Sequence, residues 1–175
     1  GTSEYLSLGI SYPFILKRNT ELGFDITTTI QNSHQDLYQD NVRQNNVSTD
    51  RIRAVRVGLN GRKSLKNSYN TARFLFSQGF EGWDDTLTGD QQDSNLNSKP
   101  DFSTYKLDLS RQQYLGNTGV ILKLNASGQI ASDPLPTPEK FSFGGPDYGR
   151  GFANSHIFGD EGWSSAIQLS KNIYS

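Results

Sequence analysis

Residues 5–12 read Tyr-Leu-Ser-Leu-Gly-Ile-Ser-Tyr, and the alternation within them decides how the rest of the chain is read. Leu6, Leu8, Ile10 and Tyr12 share one parity, and Ser7, Gly9 and Ser11 share the other. Successive side chains of a strand point to opposite faces, so this run predicts a strand with one apolar and one polar face. The same period continues downstream. Leu22, Phe24, Ile26 and Ile30 alternate with Gly23, Asp25, Thr27 and Thr29. Val55, Val57 and Leu59 alternate with Arg56, Gly58 and Asn60, and Ala72, Phe74 and Phe76 with Arg73 and Ser77. Tyr105, Leu107 and Leu109 face Lys106, Asp108 and Ser110; Val120, Leu122 and Leu124 face Lys123 and Asn125. Ile167 and Leu169 against Ala166, Gln168 and Ser170 complete a set of about seven strands. Ile52, Leu75 and Ile121 fall on the polar parity and Lys171 on the apolar one, which predicts bulges or strand ends there.

The connections add a second rhythm. Lys17 to Thr20, Arg62 to Ser68 and Leu115 to Thr118 are short and polar, whereas Asn32 to Thr49, Gly82 to Asp101 and Ser132 to Gly159 are long. Tight turns at one end and long loops at the other are the pattern of an antiparallel up-and-down transmembrane β-barrel. Composition agrees. Only 33% of residues are hydrophobic, which is thin for a soluble core but sufficient for a wall whose inner face meets water. No run approaches the roughly 20 apolar residues of a membrane-spanning helix. Tyr5, Tyr12, Phe14, Phe80, Trp83, Tyr114, Trp163 and Tyr174 lie near strand ends, where they would form interfacial girdles. A soluble β-sandwich that binds carbohydrate through its aromatic residues is the alternative from a different class.

Single-chain bacterial barrels have even strand numbers from about eight upward, and an open edge in lipid leaves backbone groups unsatisfied. Residues 1–175 are therefore expected to be a partial barrel, with further strands elsewhere. The lack of any Met and of a signal peptide at Gly1 fits a segment of something longer.

The charge, 17 basic against 18 acidic residues, forms no basic stripe, which argues against nucleic acid as a partner. Without cysteine there is no disulfide frame or thiolate metal site. His34 and His156, the two histidines, have no metal-ligand spacing, so no metal is expected. The pairs Asp84–Asp85 and Asp160–Glu161 are adjacent, and adjacent residues diverge on a strand, so neither suits acid/base catalysis. Asp90 to Ser98 lacks the Gly and terminal Glu of a calcium loop. No serine elbow or phosphate-cradling loop occurs, and neither a catalytic residue nor a cofactor is expected.

One segment remains, PLPTPEKFSFGGPDYGRGFANSHIFGDEG from Pro134 to Gly162. Its ordered elements are Phe141, Ser142, Gly144 and Gly145, then Arg150, Gly151 and Phe152, then Gly159, Asp160 and Gly162. In this order they resemble the outer-membrane transporters of two-partner secretion, the haemolysin and filamentous-haemagglutinin secretion/activation proteins. The resemblance implies that the loop folds back into the barrel lumen with Arg150 at its tip against the inner wall. A guanidinium suits that task because it stays charged and offers five donors in a fixed fork. Gly149 and Gly151 would permit the sharp turn, and Phe152 would pack beside it. The sequence departs from the family where relatives carry a small β-branched residue before the arginine, here Gly149. The acidic partner of the arginine is expected on a strand beyond Ser175, and Gln168 stands where relatives often carry an inward Glu.

By the same resemblance the expected function is an outer-membrane pore, monomeric when complete, that exports a large secreted partner polypeptide of haemolysin or adhesin type. Asp25, Arg56, Arg73, Lys106, Asp108, Lys123 and Gln168 would line its wet lumen, with outer-membrane lipids on the opposite face. A barrel-assembly factor of the same superfamily is the alternative within this class, and the number of periplasmic modules upstream would separate the two.

Overall fold

The computed structural model describes residues 2–39, 42–81, 98–145 and 148–171, and the side chains of these outside 34–49. Their period-two alternation becomes strands β1 (Thr2–Lys17), β2 (Thr20–Gln39), β3 (Val42–Leu65), β4 (Ser68–Gly79), β5 (Ser103–Tyr114) and β6 (Val120–Ala131). A short 3-10 turn (Thr137–Glu139) follows, then β7 (Phe141–Phe143), β8 (Ile157–Gly159) and β9 (Gly162–Lys171). Seven strands form one antiparallel sheet in the order β1-β2-β3-β4-β5-β6-β9, and β7 with β8 forms a separate two-stranded ladder. The strands of this sheet follow one another in chain order, with the β7–β8 ladder inserted between β6 and β9, and β1 and β9 are its edges. This up-and-down order is that of a barrel wall.

Turn lengths follow the local chemistry. β1 and β2 are joined by Arg18 and Asn19, and β3 and β4 by Lys66 and Asn67, two-residue connections of the kind that close tight hairpins. The β5–β6 connection carries Gly116 and Gly119 at φ of 59° and 69°, a region that favours glycine. At the other end the expected long loop from Asn32 to Thr49 is corrected. The β2–β3 ladder runs unbroken in outline from Thr20↔Lys63 to Gln39↔Val42, with one irregularity between Gln35 and Leu37. Polar residues hid this extension, because strand pairing outside a core needs main-chain hydrogen bonds and no apolar face. The expected loop from Gly82 to Asp101 lies outside the described residues as far as residue 97.

The two faces of the sheet differ in chemistry. Outward, apolar pairs stack across strands: Leu6↔Ile30, Ile10↔Ile26 and Tyr12↔Phe24, then Val57↔Phe76 and Phe74↔Leu107. Tyr12 and Phe24 have ring centroids 6.1 Å apart, and Phe76 and Tyr105 5.1 Å, within the range of favourable aromatic contact. Leu8 (79%) and Trp163 (81%) remain exposed, so nothing in the described residues covers this face. A sandwich would place a second sheet about 10 Å away on it, and this corrects the soluble alternative. Trp83 and Tyr174 lie outside the described residues. Tyr5 shares the parity of Ser7 and Gly9 and pairs with Gln31, so it leaves the expected outer girdle for the opposite face.

Among the described residues, the buried apolar cluster of Ile52, Ala54, Phe102 and Leu135 packs on the polar face rather than the apolar one. Ile52 is 2% exposed and its register with Gln31 is regular, so its parity reflects burial beneath Leu135 and Phe102 and not a bulge. Leu75 and Ile121 likewise sit in regular pairs, opposite Gly58 and Ser170, whereas the register shift of β1 falls between Pro13 and Ile15. Lys171 does close its strand, paired with Val120.

Candidate functional site

The polar face carries a ladder of charged and amide side chains at mid-height. The Asp25 carboxylate accepts from Asn60 Nδ2 at 2.5 Å and from Arg73 Nη2 at 3.4 Å. It occupies the space over Gly58, where an added Cβ would fall 2.5 Å from Oδ1 of Asp25. One strand further, Asp108 pairs in register with Arg73 and accepts from the Ser127 hydroxyl at 2.6 Å, with Lys106 Nζ at 4.0 Å. Lys123 and Gln168 face each other across β6 and β9. Register therefore gathers Asp25, Arg56, Arg73, Lys106, Asp108, Lys123 and Gln168 on one face, most in opposite-charge or hydrogen-bonded pairs. Such a surface is wet, and its four basic side chains outnumber the two acidic ones.

Residues 132–145 and 148–159 fold back over this face. The stem is held at several points. Leu135 is fully buried against Ile52, Ala54 and Phe102, and its N–H donates to Asp160 Oδ1 at 3.0 Å. Glu139 Oε1 accepts from Arg56 Nη2 at 2.5 Å, with side chains only 12% and 18% exposed. Burial pushes the Glu139 carboxyl above the usual glutamate range, and the Arg56 guanidinium pulls it back only in part. Gln129 Nε2, from β6, donates to the carbonyls of both Glu139 and Asp160, at 3.0 and 3.2 Å, and so ties the two arms of the loop to the wall.

Beyond the stem, β7 and β8 pair from Phe141↔Gly159 to Phe143↔Ile157 and carry the tip. Gly144, Gly145 and Gly149 have φ of 123°, 104° and 84°, which side-chain-bearing residues rarely adopt. At Gly144 a Cβ would also lie 2.2 Å from the Ala153 carbonyl. Phe152 N–H donates to Gly149 O at 2.9 Å, closing a turn around Arg150 and Gly151. Arg150 projects from that turn and its Nη2 donates to Gln168 Oε1 on β9 at 2.7 Å. One expected role is corrected. Gly151 has open space around it and no left-handed φ, so the turn does not require glycine there. Phe152 packs tilted against Phe143 and stacked on His156, with ring centroids 5.9 and 5.6 Å away.

The loop leaves open space over the wall. A cavity of about 630 Å³ lies between Tyr148 and the ladder residues Asn60, Arg73, Asp108 and Asn125. Among the described residues no cluster of side chains suits a metal ion. The arrangement offers a polar wall with a loop lying over it, anchored at the stem and touching the wall again at an arginine tip.

A family model described as haemolysin secretion/activation protein ShlB/FhaC/HecB matches residues 1–172. The chain belongs to this family. Its members are outer-membrane β-barrel transporters of Gram-negative bacteria working in two-partner secretion, which places the chain in the outer membrane. Among solved structures, CdiB from Escherichia coli is similar in fold, with a TM-score of 0.79 at 22% identity, over 99% of this chain. The chain spans 31% of that chain's length. No curated protein sequence matches it.

The motif and the wall parity were visible in sequence, whereas Glu139, Gln129 and Leu135 were not singled out. Glu139 follows Pro136 and Pro138, a rigid stretch in which a lone carboxylate looks solvated. Only the return of the loop onto β3 brings it to Arg56.

Proposed function

We propose that residues 1–175 supply part of the wall and the lumen loop of an outer-membrane pore that exports a secreted partner polypeptide. The observation that carries this reading is the Arg150 tip lying on Gln168 of the inner wall, above a polar ladder and an open cavity. A chain passing in an extended, unfolded form exposes amides and side chains of every type. A wet wall of charged and amide side chains, several of them paired, satisfies them without binding any sequence tightly. The loop then acts as the obstruction that must yield during passage. Strands and periplasmic modules outside these residues complete the barrel and receive the partner, and outer-membrane lipids cover the apolar face. The partner is of haemolysin or adhesin type, the complete barrel works as a monomer, and no step is catalytic.

The family match favours export over insertion of other barrels into the membrane. The test is to express the complete transporter with the secreted protein encoded beside it and measure that protein in the medium. Arg150→Ala should cut secretion while the barrel remains in the membrane. Unchanged secretion on deleting the transporter, together with loss of other outer-membrane barrels, would establish the assembly reading instead.

A further inference from the structure

Two neighbouring cross-strand rows on the outward face, near its short-turn end, differ in chemistry. The row closer to the turns is Lys17↔Thr20↔Lys63↔Asn70↔Arg111, in register from β1 to β5. It carries three cations and no carboxylate. The next row toward mid-height is Leu22↔Gly61↔Ala72↔Leu109↔Ala126, from β2 to β6. Its smallest members, Gly61 and Ala72, stand side by side, and they leave a depression of about 600 Å³ in a wall otherwise covered by large side chains. Leu22, Leu109 and Leu124 bound it, and Lys63, Asn70 and Arg111 line its turn side. Among the described residues Lys63 Nζ has no acceptor or counter-charge, and Arg111 uses Nη2 on the neutral Gln113 Oε1 at 2.6 Å. Glu21, beside Thr20 in the chain, faces the other way and pairs with Arg62.

We propose that this depression binds one anionic diacyl phospholipid of the periplasmic leaflet, of the phosphatidylglycerol type. Its phosphate lies between Lys63 and Arg111, and its glycerol esters and first acyl carbons lie over Gly61 and Ala72. Short turns mark the periplasmic end of such barrels, so the charged row meets the headgroup level and the small-residue row lies just inside the hydrocarbon. Lys63 and Arg111 stand two strands apart, about 10 Å, a gap that a flexible ammonium stem and a guanidinium close from either side onto one phosphate. A zwitterionic lipid would bring an ammonium as well, and no carboxylate is among the residues lining the depression to receive it. A basic belt by itself attracts anionic lipid by charge and holds it in no fixed place. The depression supplies the place, because an acyl segment that fills it gains dispersion contacts with Leu22, Leu109 and Leu124 that a gap would forfeit.

The experiment uses the complete transporter in nanodiscs of phosphatidylcholine with phosphatidylglycerol as the minor component, one lipid or the other carrying a photoreactive diazirine on its acyl chain. Heat-modifiable gel migration follows barrel integrity, and mass spectrometry locates the cross-linked stretches. Photoreactive phosphatidylglycerol should label residues 59–63, 70–74 and 107–111 with a yield about tenfold or more above photoreactive phosphatidylcholine at equal mole fraction. Lys63→Gln together with Arg111→Gln should remove that preference, and each alone should lower it by about fivefold. Ala72→Leu fills the depression from an exposed position and leaves both cations in place, and it should remove the preference as well. Water-soluble glycerophosphoglycerol in excess should leave the labelling unchanged. Displacement by that headgroup would make this a site for a free phosphodiester and overturn the proposal. Equal labelling by the two lipids would overturn it too, and a preference that survives Ala72→Leu would reduce the row to an unspecific basic belt.

Discussion

The ring of Phe141 lies where a side chain at Gly162 would have to be: a Cβ built on Gly162 falls 2.7 Å from Cδ1 of Phe141. The first residue of the loop motif thus packs on the last residue of the strand-entry motif. Two residues 21 positions apart in sequence, one from each motif, are one contact in space. Gly162→Ala should therefore push the ring off the wall and destabilise the β7–β8 stem by about 1–3 kcal/mol, the range for overpacking a tight site. In a Phe141→Ala background the same substitution should cost far less, because the two changes act on one contact. Amide exchange of β7 and β8 in the four proteins of the cycle checks this, and additive effects would count against it.

The glycines of the tip are not equivalent. Gly149 combines a φ of 84° with a Cβ position 2.8 Å from the Phe143 ring, whereas Gly151 has neither constraint. Gly149→Ala should cost about 1–2 kcal/mol of tip stability through backbone strain, plus the displacement of Phe143. Gly151→Ala should lie within about 0.5 kcal/mol of the parent, as an unconstrained surface change does. Exchange of residues 148–154 distinguishes the two, and an equal effect at both sites would contradict the turn geometry.

Arg150 donates to a neutral amide on β9. A carboxylate in the same place would convert this into a charge-assisted hydrogen bond, which is roughly twice as strong as a neutral one. Gln168→Glu should hold the tip to the wall for longer and lower the frequency of opening events in planar-bilayer recordings of the complete transporter. Gln168→Ala should raise it. Identical recordings for both would show that this contact does not govern the opening.

Glu139 gives the loop a pH response of definite sign. Its folded-state pKa is raised, because burial outweighs the attraction of Arg56 despite their close contact. A raised acid contributes stability that is fully present below its ordinary pKa and is lost as pH rises through the folded value. Through this group, mild acidification from neutral should tighten stem docking, the reverse of a loop held by a carboxylate of depressed pKa. β7–β8 exchange, corrected for intrinsic rates, should slow on moving from about pH 7 toward pH 5. Glu139→Gln should remove that part of the profile, and a parent stem that loosens over this range relative to the variant would refute the assignment.

How far the sequence could be read depends on the range of the interaction. Alternation in runs such as Leu22 to Ile30 is imposed residue by residue by the two solvents on either side of a wall, so the strands, their faces and the up-and-down order were legible. The loop motif from Phe141 to Phe152 was legible only through its resemblance to the transporter family, and the positive φ of Gly144, Gly145 and Gly149 then accounts for the glycines in it. The polar stretch after Asn32 was misread as loop because hydrogen-bonded pairing leaves no trace in hydropathy. The same holds for Ile52, whose parity looked irregular until Leu135 and Phe102 were found covering it.

What the sequence determined by itself was the sheet with its polar and apolar faces, fixed by local geometry and period, while the loop with its arginine was read from the family resemblance. The tertiary structure decided where the loop returns: Glu139 onto Arg56, separated by 83 positions, Arg150 onto Gln168, and Phe141 onto Gly162. Those contacts depend on how strands far apart in the chain are brought side by side, and neither residue of a pair carries a local signal of its partner.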